Sequence, residues 1–332
     1  MGSPRLTIVI PTVNRASLVR RALDSALAQS YRDLEIIVSN NGSTDDTREI
    51  LELYRGAPRL RINHIDKTIP VNPHGNLLLD MARGEFFLGL SDDDWLEPNF
   101  AEKVIDLFDR RPKVVFVWTG CLMHYADVAA PARVGPEVES GPEFLEAFLA
   151  GLRNPCWCAV VTRTADLRSI GHIPTEVICG DMFYWTKLAA KGSVGCVPQT
   201  VSHYVCYRDG GNGIAGGASV LSWAEDQEGC VRDIVRTCEA SGSKNRRLRG
   251  DAERVLARST SNQFVWQAMR GAHRSSLLRT IPSALPYLRA FPPFHWIRVI
   301  AAIAAPRSLL RQRMISEARR RARRAMKRAR MP

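Results

Sequence analysis

No stretch of this 332-residue chain reaches the ~18–20 consecutive apolar residues that a membrane-spanning helix needs. The nearest, WIRVIAAIAA at 296–305, is about half that length and is closed by Pro306. No apolar h-region precedes the first strand pattern, so no signal peptide is expected, and a reduced, cytosolic setting follows from that expectation. The eight cysteines have no paired CxxC spacing, which leaves no framework for a zinc site or a redox pair. The CWC at 156–158 lies in an apolar, strand-like run where alternation sends both thiols to one face, so buried structural thiols are expected. No internal repeat is present. The first strand is followed by PTVNRAS, which lacks the Gly-rich, basic phosphate loop expected of a nucleotidylyltransferase.

Acid is scarce toward the C-terminus. Between Arg307 and Arg330 stand eleven Lys/Arg and one acid, Glu317, so the tail carries +10 of the net +12. The remaining 35 basic and 33 acidic residues nearly cancel. A nucleic-acid binder needs basic and aromatic residues interleaved in the body, and a neutral body argues against one. In the tail, Leu310, Met314, Ala318, Ala322, Ala325 and Ala329 share one helical stripe with arginines elsewhere. That pattern reads as an interfacial helix with a polybasic extension suited to anionic lipid. Nucleic-acid contact and a solvated charged end are the other readings.

What is present, at 45% hydrophobic and 24% charged residues, is an ordinary globular composition. Short apolar runs at 6–11, 34–39, 60–65, 85–91 and 114–118 alternate with helical patterns at 15–30, 47–54, 76–82 and 99–111. Repeated βα units of this kind predict a doubly wound α/β sheet with right-handed crossovers. Ligands in such sheets bind beyond the carboxyl ends of the strands. PTVNR (11–15), SNNGSTDD (39–46) and SDDD (91–94) all lie there and should converge on one crevice. Farther on, CWCAVVT (156–162) predicts a strand, CGDMFYWTKLAAKG (179–192) a helix, and 192–208 further strands; DGGNGIAGG (209–217) is a glycine-rich loop, and mostly helix follows from Val220.

Asp92, Asp93 and Asp94 stand in a row directly behind the apolar run FFLGL, and packed dry they would repel one another by several kcal/mol. Either water surrounds them, as an acidic turn capping the helix after Pro98, or a cation does.

TIVIPTVNRASLVRRALDSALAQSYRDLEIIVSNNGSTDDT and ARGEFFLGLSDDDWLEPNF together resemble the signature of family 2 glycosyltransferases, which have the GT-A fold, a Rossmann-like doubly wound sheet. The usual pattern runs from a strand ending in Pro-Thr-Tyr-Asn-Arg to a helix ending in Gln-Ser/Thr-Tyr. A strand ending in Asp-Asp-Gly-Ser-Thr-Asp follows, and then an apolar strand before an aspartate cluster. Motif order and spacing hold over roughly residues 5–210. The resemblance implies a GT-A domain over 1–218 (donor half to about 118, acceptor half 119–218), a helical region over 219–291 and an amphipathic, polybasic tail over 292–332.

The same resemblance implies inverting transfer of a sugar from a nucleotide-diphosphate sugar to an acceptor hydroxyl on a glycan or lipid-linked molecule. It assigns a divalent ion, Mn²⁺ or Mg²⁺, to Asp93 and Asp94, and the donor ribose to the neighbourhood of Asp92. Thr12 and Arg15 match the nucleotide-facing loop, where Val13 replaces the usual tyrosine. Asn40 and Asn41 replace the usual aspartates near the nucleobase; an amide both donates and accepts and can still meet a pyrimidine edge. Asn76 matches another donor segment, His74 beside it reads as a loop histidine, and Arg208 is placed near the pyrophosphate. Asp181, opening an aromatic-rich helix, matches the base that takes the acceptor proton, although a helix N-cap has the same composition. With the tail on anionic lipid, the implied location is the cytoplasmic face of a membrane. A catalytically silent nucleotide-sugar binder is the alternative that the two asparagines leave open.

Overall fold

The computed structural model describes residues 2–125, 128–206 and 218–289, and beyond them 299–301, 303–306, 308–310, 312, 316, 319, 320 and 323. The expected βα alternation is present. Strand β1 (Leu6–Thr12) is buried almost throughout and β2 (Leu34–Asn41) throughout, as strands covered on both faces must be. The edge strand β3 (Leu60–Ile65) is half-buried along its length. β1 pairs in parallel with β2 and with β4 (Phe86–Gly89), and β2 with β3. Helices α1 (Ala16–Leu27), α2 (Thr47–Glu52) and α3 (Val71–Met81) supply the crossovers. The first helix packs Val19, Ala22, Leu23 and Ala26 on the sheet, the i, i+3, i+4, i+7 face that its sequence spacing predicts.

After β4 the sheet departs from simple winding. A two-residue strand β5 (Trp95–Leu96) and helix α4 (Phe100–Arg110) lead to the long β6 (Val114–Tyr125). Strands β7 (Val128–Pro131) and β8 (Val138–Ser140) then precede helix α5 (Gly141–Leu149). Strand β9 (Val160–Arg163) inserts antiparallel between β4 and β6. Helices α6 (Thr164–Ile170) and α7 (Gly180–Ala189) follow, then β10 (Ser193–Val205), parallel to β6 and edged by the antiparallel β5. The result is one ten-stranded, mixed sheet whose main path runs β3-β2-β1-β4-β9-β6-β10-β5.

Three local expectations change. The strand expected from residue 156 begins only at Val160, because Trp157–Ala159 forms a short 3₁₀ turn. Trp157 needs that turn to lie against Gly89, where a Cβ would come within 2.8 Å of the indole nitrogen. Cys156 and Cys158 are buried all the same, and all eight cysteines are free. Helix α3 starts five residues earlier than its periodicity suggests. Pro73 does not prevent this, since N–H groups in the first helical turn have no intrahelical partner to lose. The strands expected over 192–208 are one strand, β10, whose register slips between Val197 and Ser202 around Pro198, a position where proline breaks no ladder bond.

The C-terminal region is helical: α8 (Val220–Ala240), α9 (Leu248–Arg270) and α10 (Arg274–Leu288). Val231, Ile234 and Cys238 of α8 share a core with Phe144, Leu145 and Trp185 of the sheet domain. A separate cluster joins Phe264, Leu277, Ala284 and Leu288 to Val299, Ile303 and Leu310. Leu310, expected on a lipid-facing stripe, is thus buried; the rest of the expected tail helix lies largely outside the described residues. Among the described residues no helix is long and apolar enough to cross a membrane.

Candidate active site

The three loops expected to converge are tied together at the carboxyl ends of β1, β2 and β4. Asn14, in the left-handed region at φ 52°, accepts the Thr44 N–H at 2.7 Å, and its own N–H donates to Ser43 Oγ at 2.8 Å. Asp45 accepts the Ala16 N–H at 3.2 Å and the Thr47 N–H at 3.0 Å. Ser43 and Asp45, which have the composition of helix caps, therefore serve mainly to fasten one loop to the other. Gly42 is required at the bend: its φ is +65°, and a Cβ there would stand 2.5 Å from the Thr68 nitrogen.

The aspartate row is not an exposed acidic turn. The N-cap position of helix α4 is Asn99, beyond the aspartates, and Asp93 and Asp94 are 7% and 0% exposed. Thr12 Oγ1 donates to Asp92 Oδ2 at 2.8 Å. Arg15 Nη1 stands 4.0 Å from Asp93 Oδ2. Asp94 Oδ1 accepts the Val205 N–H at 2.8 Å, while its Oδ2 is buried without a hydrogen-bond partner. Burial first, and the Asp93 charge second, hold the Asp94 carboxyl well above the usual carboxylate range; the Val205 N–H and the nearby Cys158 thiol oppose them only in part. An orphaned carboxylate oxygen beside a second buried carboxylate is what a hard divalent cation satisfies. Among the described residues no three His, Cys, Asp or Glu side chains are grouped to hold a metal unaided. That suits Mg²⁺ or Mn²⁺, which take one or two carboxylates and complete their shell with water and ligand phosphate.

Arg21, which the sequence did not single out, braces this turn. Its Nη2 donates to the Asp93 carbonyl at 2.6 Å, and its guanidinium lies 3.8 Å above the Trp95 ring. Trp95 stacks in turn on His203, whose Nε2 is 2.8 Å from Glu97. A lone arginine on an amphipathic helix carries no local sign of such a role.

The amides expected at the nucleotide are engaged within the protein. Asn40 accepts the Ser43 N–H at 3.0 Å and lies 3.4 Å from His64 Nδ1. Asn41 bonds both ways to the Ile69 main chain, at 2.8 and 3.0 Å. Asn76 does the same with Ile173, at 2.9 and 3.0 Å. Asn72, not singled out before, donates to the Pro174 and Val177 carbonyls. His74 is 3% exposed and 2.8 Å from Ser39 Oγ, a core histidine rather than a loop one. Arg208 lies outside the described residues.

Asp181 sits in the first turn of α7 and is half-buried. Its Oδ1 accepts the Met182 N–H at 2.8 Å. Burial raises its pKa, against the pull of that N–H, and the charge of Asp226 pushes the same way.

Residues 7–136 match the family model described as glycosyl transferase family 2. Over those residues the chain is similar to family 2 glycosyltransferases. The chondroitin synthase of Pasteurella multocida is 35% identical to the chain over 123 residues, 35% of this chain and 12% of that protein. The matched part is therefore a small fraction of that longer relative. The fold extends the likeness beyond the matched segment. S. aureus TarS 1-349 in complex with UDP-GlcNAc superposes with a TM-score of 0.62 at 16% identity, over 95% of this chain and 91% of that one. The mannosyltransferase PcManGT of Pyrobaculum calidifontis, in complex with GDP-Man and Mn²⁺, gives a TM-score of 0.56 at 18% identity, over 92% and 87%. The sheet region thus has the expected GT-A architecture, with its aspartate row at the carboxyl end of β4 and Asp181 at the start of α7.

Proposed function

We propose that the chain is an inverting glycosyltransferase that moves a sugar from a nucleotide-diphosphate sugar to an acceptor hydroxyl, in the synthesis of a glycan or polysaccharide. The observation that carries this reading is the buried Asp93–Asp94 pair, with the Asp94 Oδ2 lacking a partner. Asp93 and Asp94 would hold Mn²⁺ or Mg²⁺, which when bound neutralises charge on the leaving nucleotide diphosphate. The Mn²⁺ and nucleotide sugar held by PcManGT support that assignment. Thr12 keeps Asp92 turned to the crevice, and Arg15 and Arg21 hold Asp93 from its side chain and its carbonyl. The hydrogen bonds of Asn40, Asn41 and Asn76 set loop shape around the donor. Asp181 takes the acceptor proton as the hydroxyl attacks, and its raised pKa suits a base.

The experiment that tests this reading is a thermal-shift panel of nucleoside diphosphates and their sugars, with and without Mn²⁺, followed by donor hydrolysis. Stabilisation that requires Mn²⁺ is expected. It should vanish in the Asp93→Ala/Asp94→Asn double variant, in which the amide oxygen introduced at position 94 still accepts from Val205. An undiminished Mn²⁺-dependent shift in that variant overturns the metal assignment. Binding without any turnover would favour the silent nucleotide-sugar binder.

A second part of the proposal concerns location. Residues 254–316 contain ten arginines and no acid. On α10, Leu278, Pro282, Leu285 and Pro286 form an outward stripe opposite the buried Leu277, Ala284 and Leu288, with Leu278 52% and Leu285 44% exposed. Apolar side chains flanked by cations suit an anionic bilayer surface. The inner face of a membrane, with a lipid-linked acceptor, is the location this supports.

A further inference from the structure

The loop that leads into α7 is held from two sides. From α3, Asn76 bonds both ways with Ile173, and Asn72 donates to the carbonyls of Pro174 at 2.8 Å and Val177 at 2.7 Å. From α8, the two oxygens of Asp226 accept the N–H groups of Ile178 at 3.2 Å and Cys179 at 2.8 Å. Cys179 is the N-cap of α7 and makes no side-chain capping bond of its own. Asp226 thus supplies, from another helix, the acceptor for the N-cap N–H that the third helical residue supplies in a capping box. Its neighbour Gln227 adds bonds to Cys179 Sγ and to Met182 Sδ. Among the described residues no ion pair neutralises either Asp226 or Asp181.

We propose that Asp226 is a positioning residue for Asp181: it fixes the main chain on which Asp181 rides and sets a second negative charge against it. The inference rests on Asp181 being the base of the proposed transfer. Burial raises the Asp181 pKa first, and the Asp226 charge adds to it, since a carboxylate near a like charge holds its proton more tightly. Among the described residues, the Cys179 and Cys230 thiols also lie near Asp181, both pushed up by burial, Cys230 to about 12. They stay neutral across the range in which a carboxylate titrates. Asn72, on the α3 side, carries no charge.

The test is a ¹³C carboxyl titration of the full-length chain labelled at aspartate, with the Asp181 signal assigned by its loss in Asp181→Asn. Asp226→Asn should lower the Asp181 midpoint, while burial, the larger cause, keeps it above the ordinary carboxylate value. Asp226→Glu, which keeps the charge, should leave the midpoint raised. Should Asp226→Asn not fold, Asp226→Ser removes the charge while retaining one acceptor. In hydrolysis of UDP-GlcNAc or GDP-mannose, the acid limb of the pH profile should move to lower pH with the midpoint. A merely structural loss lowers the plateau and leaves the limb in place. An Asp181 midpoint unmoved by loss of the 226 charge overturns the proposal. Full turnover in Asp181→Asn instead sinks the base assignment, and the titration still decides what Asp226 does.

Discussion

One proton separates the two roles open to Asp181. Asparagine keeps the size of the side chain and an oxygen for the Met182 N–H, but it cannot take a proton from an acceptor. As the base, Asp181→Asn should lower transfer by roughly 10²–10⁴-fold, with donor affinity and melting temperature little changed. As a cap alone, asparagine serves about as well as aspartate, and turnover would persist. His74 makes a separate prediction about stability. Burial lowers its pKa to about 4 from the ordinary value of 6.5, so the unfolded chain binds a proton that the folded chain refuses. The stabilisation is complete above the unfolded pKa and is lost as pH falls through the window from 6.5 toward 4. Over that window the native state should lose up to about 3 kcal/mol. Denaturant titrations at several pH values should show the slope in the native protein and a flatter one in His74→Gln.

At the scale of elements, the segment ahead of α7 ties α3 of the sheet region to α8 among the C-terminal helices. Asn72→Ala withdraws the donor from the Pro174 and Val177 carbonyls, at a cost of about 1–3 kcal/mol in stability. Amide exchange should quicken across residues 173–179 while β1 and β2 keep their protection. Turnover should fall more than donor affinity, because Asn72 acts on the loop before Asp181 and not on the aspartate row. Equal losses in donor affinity and turnover would place Asn72 at the donor instead.

For the whole molecule, charge asymmetry is the organising feature. If the C-terminal region rests on lipid, the protein should sediment with vesicles containing anionic lipid, and added salt should release it. Each basic residue near the surface contributes about 1 kcal/mol, so removing the residues after Ala305 should weaken association strongly. Leu278→Asp/Leu285→Asp should weaken it further without altering Mn²⁺-dependent nucleotide binding. Undiminished sedimentation of the truncated chain and of the double variant would place the contact elsewhere. A change in oligomeric state instead would make the α10 stripe a protein interface.

The sequence by itself determined the amino-terminal βα units: strand runs, the helix faces that cover them, and the loops gathered at strand ends. Each is written in neighbouring residues, as period, turn chemistry and local charge, and the aspartate row announces itself by its own repulsion. Only the tertiary structure decided what those residues face. Asp94 is buried because β10 lays the Val205 N–H against it, and Asn76 serves Ile173 because α6 brings that segment over α3. Asp226 reaches Cys179 across 47 residues of chain, and β9 enters antiparallel between β4 and β6. No local pattern encodes these pairings. Each depends on which surfaces meet once the apolar faces are buried, and that is settled by packing across the whole chain.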